Sequence, residues 1–190
     1  MRHHLRGFTL IEIAIIAIIL GIIALKLLPK LDNVQRDARI ATLEGAKGAL
    51  DSAFDLFATK VKTEQTLAPC TLPFQSEMRC LTVNGVEIGI TADDHPAILS
   101  TVQHNGITQL LAITSIDLNE ADHRTEKYQN KLNYEDEAEH FRAQAFWILP
   151  PTQEGWIHAR DSRCKLIYLP LGNPNNHQGK SHFELITDGC

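Results

Sequence analysis

The stretch RGFTLIEIAIIAIILGIIALKLLP, Arg6 to Pro29, limits what this chain can become more than any other. From Phe8 to Leu28 it is almost wholly apolar, yet Glu12 sits inside it. As a helix, Phe8–Leu28 would be about 31 Å long, enough for a bilayer's hydrocarbon core. Basic Arg2 and Arg6 precede it and a long polar chain follows, which predicts a cytoplasmic N-terminus with the bulk outside. A secretory signal would end in a small-residue cleavage site after the apolar run. Here the small residue, Gly7, comes before the run. Gly21 and Pro29 weaken a helix, which a plain anchor has little need of. An ionisable residue in such a run usually has a partner.

Past Pro29 the apolar residues Leu43, Ala46, Leu50, Phe54, Phe57 and Val61 recur at steps of three and four. That spacing predicts an amphipathic helix continuing the apolar one, with its stripe on a head domain. The combined helix, Phe8 to about Lys62, would be near 80 Å long, a length suited to a filament subunit. QTLAPCTLPF, 65–74, should end it. In CLTVNGVEIGI, Asn84-Gly85 between alternating apolar residues predicts a hairpin. GITQLLAITS (106–115), AFWIL (145–149), GWIHAR (155–160), CKLIYLPL and HFELIT read as strands. The polar tract 119–144 reads as loop, or helix in part. The fold class expected is α+β: a long N-terminal helix on an antiparallel β-sheet head.

Net charge is −5, which leaves no basic face for nucleic acid. The four cysteines, Cys70, Cys80, Cys164 and Cys190, include no CxxC pair, and an even number in an export-like chain favours disulfides. Sequence allows three pairings. His95, His104, His123, His140, His158, His177 and His182 are scattered, without HExxH. DDH at 93–95 and EDEAEH at 135–140 read as solvated acidic faces. No Ser-His-Asp or Cys-His constellation and no phosphate loop can be picked out, so the chain is not expected to be an enzyme, and no cofactor or metal is expected.

GFTLIE at 7–12, between a basic leader and a long apolar run, resembles the processing signal of type IV pilins and type II secretion pseudopilins. The resemblance implies cleavage between Gly7 and Phe8 by a prepilin peptidase, then N-methylation of Phe8. Glu12 would pair with the new Phe8 amine of a neighbouring subunit, setting register. Gly21 and Pro29 fall where these pilins loosen as they enter the filament. NVQRDARIATLEGAKGAL (33–50), LTVNGVEIGI…HPAI (81–98) and the cysteine-closed end resemble stretches of mannose-sensitive haemagglutinin (MSHA) pilins. That end implies a Cys164–Cys190 bridge, with Cys70–Cys80 as the pair beside it. In the chain-entropy picture these loops stabilise by about 3.5 and 2.7 kcal/mol. Pseudopilins bind Ca²⁺ near the C-terminus, but the end here lacks an Asp-rich loop.

The organisation implied is a cleaved leader (1–7), a transmembrane and filament-core helix (8–28), an amphipathic helix (29–62) and a β-rich head (63–190). The function implied is a structural subunit of an extracellular MSHA-like pilus serving surface attachment. A secretion pseudopilin or minor pilin is the alternative. The precursor would be a single-pass inner-membrane protein of a Gram-negative bacterium, and the assembled subunit would lie at the cell surface. Its partners would be copies of itself, the peptidase and the assembly machinery.

Overall fold

The computed structural model describes residues 10–64, 66–70, 78–98, 106–120, 131–136, 145–151, 161–172 and 179–190, without the side chains of 24, 27–32, 120, 135 and 136. It divides into two compact units, Met1–Ala38 and Arg39–Cys190. Helix α1, Leu10–Thr63, supplies the first unit and enters the second. Gly21 and Pro29 both lie within it.

In the second unit the spacing of apolar residues dictates the packing. Leu43, Ala46, Leu50, Phe54, Phe57 and Val61 are all buried in one core. Two sheets complete that core. The first is antiparallel, in the order β1 (Ala68–Pro69), β2 (Arg79–Val83), β3 (Val86–Ile90), β4 (Pro96–Ala97). Its central turn has φ of 52° at Asn84 and 81° at Gly85, the positive pair that a two-residue hairpin needs. The second is β5 (Leu118–Glu120), β6 (Leu132–Asp136), β7 (Phe146–Leu149), β8 (Lys165–Leu169), β9 (His182–Ile186). There β5 and β6 run parallel and the remaining neighbours antiparallel.

The expected fold is therefore corrected. The head is two sheets, one of them mixed, rather than a single antiparallel sheet under a long helix. Only Arg39–Thr63 of α1 belongs to the head unit. The apolar end of the helix lies in the other unit, because its side chains form no one-sided stripe to bury on a sheet.

Two local expectations change as well. Residues 106–113 form helix α2, not a strand. Gly106, Gln109 and Leu110 are buried at helical spacing, and the Gln109 amide donates to the Glu87 carbonyl at 3.2 Å. Asn84 Nδ2 donates to the Ala112 carbonyl at 3.1 Å, so the hairpin turn holds the far end of α2. Within the polar tract 119–144, residues 132–136 are strand, not loop or helix. The expected strand at 155–160 lies outside the described residues.

Five aromatic rings form the centre of the head. Phe54 of α1 meets Tyr168 edge-on at 4.9 Å, and Phe146, Phe183 and Tyr134 continue the stack. The Tyr168 hydroxyl donates to the Pro96 carbonyl at 2.7 Å, so the buried phenol is satisfied. Burial, with the Asp93 charge adding to it, pushes the Tyr168 pKa far up, which keeps the ring neutral. This bond ties the second sheet to the first.

Candidate assembly interface

The apolar half of α1 is the surface that most needs an explanation. Eleven leucines and isoleucines between Leu10 and Leu25 are between 45% and 89% exposed. Neighbours such as Ile15–Ile16, Ile18–Leu20 and Ile22–Ile23 point in different directions at 3.6 residues per turn, so the segment is apolar on all sides. A helix apolar all round is normally buried. Each such side chain gains about 1.5–3 kcal/mol on full burial. The segment is thus suited to the interior of an assembly.

Its length argues against the expected membrane placement. Among the described residues no helix is long and apolar enough to cross a membrane. Glu12 and Lys26 bound the uncharged stretch to Ile13–Leu25, 13 residues. That is about 20 Å of helix against a hydrocarbon core of about 30 Å. The single-pass inner-membrane precursor is corrected on that ground.

Glu12 is exposed and lies in the first described turn of α1. Gly21 has open space around it, so a side chain there would meet nothing in this chain. Gly7 and Phe8 lie outside the described residues. Glu12 and Gly21 belong to the first unit and the four cysteines to the second.

The head has fastenings of its own. Disulfides join Cys70 to Cys80 and Cys164 to Cys190. Arg39 of α1 donates to the Cys190 carbonyl at 3.1 Å, fixing the second bridge to the helix. Gly189 passes so close to Arg163 that an added Cβ would lie 2.7 Å from that residue's Cβ. Its N–H donates to the Arg163 carbonyl at 3.0 Å.

Asp93 is not part of a solvated face. Its side chain is only 19% exposed. Its carboxylate accepts from Thr91 Oγ1 at 2.6 Å, Ser181 N at 2.6 Å and Ser181 Oγ at 2.8 Å. Burial pushes its pKa up, but these three bonds and nearby His95 outweigh it, and the net shift is downward. His95 Nδ1 stands 2.9 Å from the Asp93 carbonyl, and Nε2 stands 4.0 Å from Asp55 of α1. Asp93, His95 and Ser181 therefore meet, yet not as a catalytic triad. The serine hydroxyl donates to the Asp93 carboxylate itself and accepts the Leu171 N–H, an arrangement that differs from a triad's serine-to-histidine bond. The cluster clamps the turn before β4 to the residue before β9. Sequence reading missed it because Asp93 and Ser181 are 88 positions apart. The only local sign was Thr91 two residues before Asp93, a side-chain turn pattern. Among the described residues no group of three or more His, Cys, Asp or Glu could hold a metal ion.

Comparison with models of known families, with curated proteins and with solved structures finds no match.

Proposed function

We propose that this chain is a structural subunit of an extracellular filament of the type IV pilus kind, MSHA-like, that serves attachment to surfaces. The observation that supports it is the helical segment exposing leucine and isoleucine on every side, with a carboxylate near its start. Identical copies of such a segment cover one another and leave the disulfide-closed heads outside. A peptidase cuts between Gly7 and Phe8, and the new Phe8 amine meets Glu12 of a neighbouring copy. The subunit does no catalysis. A pseudopilin of a secretion system would share the processing signal, so the two roles part at the level of the cell.

Electron microscopy of a strain lacking this chain tests the proposal. The expected result is loss of surface filaments and of attachment, with protein secretion unchanged. Intact filaments with lost secretion would put the chain in a secretion apparatus instead.

A further inference from the structure

Lys26 gives the filament reading a defined register. Glu12 and Lys26 are the two charged residues on the apolar segment of α1, and both are exposed. They are of opposite sign and 14 residues apart. Along an α-helix this is about 21 Å and about 3.9 turns, so both side chains leave the helix on nearly the same face. In an interface made otherwise of leucine, isoleucine, alanine and glycine, a charge opposite an apolar neighbour is strongly disfavoured. Charge complementarity thus selects that displacement.

We propose that copies of this chain pack in parallel with a stagger of 14 residues, Lys26 of one copy meeting Glu12 of the next. This rests on the filament reading above, and it makes Lys26 a second cationic partner of Glu12, supplied by a different neighbouring copy from the one whose Phe8 amine meets it, since that contact needs a displacement of only 4 residues. The occupant of the apolar surface is then a second copy, and the stagger repeats without closing, as a filament requires. An antiparallel pair centred on Ile19 also brings Glu12 to Lys26, twice, but it closes into a dimer.

The test uses the full-length chain assembled on cells. Lys26→Gln should lower filament yield about tenfold or more, and Lys26→Arg should restore it. Substituting cysteine at both Ile11 and Leu25, which the stagger sets opposite each other, should give a ladder of crosslinked multimers on a non-reducing gel. Neither single cysteine should do so. Crosslinked dimers from Ile19→Cys alone would establish the antiparallel pair and overturn the stagger. So would wild-type filament yield from Lys26→Gln. If the unaltered chain forms no filaments, the filament reading itself fails, and the stagger with it.

Discussion

Glu12→Ala is expected to leave cleavage after Gly7 unchanged and to lower filament yield by about a hundredfold or more. The expected phenotype follows from the neighbours that the proposed assembly gives this carboxylate. The proposed cleavage would create an amine on Phe8, a group whose ordinary pKa is about 7.7–8.0, so it would be largely cationic at neutral pH. Surrounded by leucine and isoleucine, that amine is costly to bury without a counter-charge. Removing one partner of a buried pair costs about 3–5 kcal/mol, because the other charge is left uncompensated. Spread over every subunit contact, this is enough to stop growth. Glu12→Gln keeps the shape and loses the charge, so it should fail as well. Immunoblots of the processed chain and of filaments sheared from cells separate the two steps. Processed chain with wild-type filament yield would contradict the role given to Glu12.

Asp93→Ala should destabilise the head by about 2–4 kcal/mol, and lower its melting temperature by roughly 5–15 °C. The variant removes the acceptor for two hydroxyls and for the Ser181 N–H at once. The clamp between the two sheets then rests on the Tyr168–Pro96 bond alone among the contacts described at that turn. The pH dependence has a definite sign. The Asp93 pKa is held below its ordinary value of 3.8 in the folded chain. Its contribution is therefore present in full above that ordinary value, and is lost as pH falls through the lower folded one. Thermal melts of wild type and Asp93→Ala should differ at pH 7, and the difference should shrink as pH is taken progressively below 3.8. A difference that stays constant throughout the acid range would mean that the carboxylate's charge contributes nothing.

Periodic features were the most legible in the sequence. Leu43 to Val61 stood at helical spacing, and all six named residues are core. Asn84-Gly85 announced its own turn, because few residues tolerate two positive φ angles in succession. The sheet architecture was less legible. The parallel β5–β6 pair joins residues 118–120 to 132–134 in a stretch too polar to show alternation. Residues 106–113 misled because an apolar, β-branched octapeptide fits a strand or a helix equally well. What decided it was tertiary, the place of Leu110 in the core and the Gln109 bond to β3. The Asp93–Ser181 clamp and the approach of Gly189 to Arg163 depend on long-range proximity, which no local pattern encodes. For the proposed assembly surface, Glu12 was prominent from the start. Lys26 acquired its meaning only once α1 was a continuous helix with exposed sides, where rise and turn per residue relate the two charges.

The central claim is that this chain, cut after Gly7, builds a surface filament. Mass spectrometry of filaments sheared from intact cells tests it most directly. The account predicts this chain as a principal component, with Phe8 as its first residue and its amine methylated. Filaments that lack the chain, or that contain it with residues 1–7 still attached, would contradict the account.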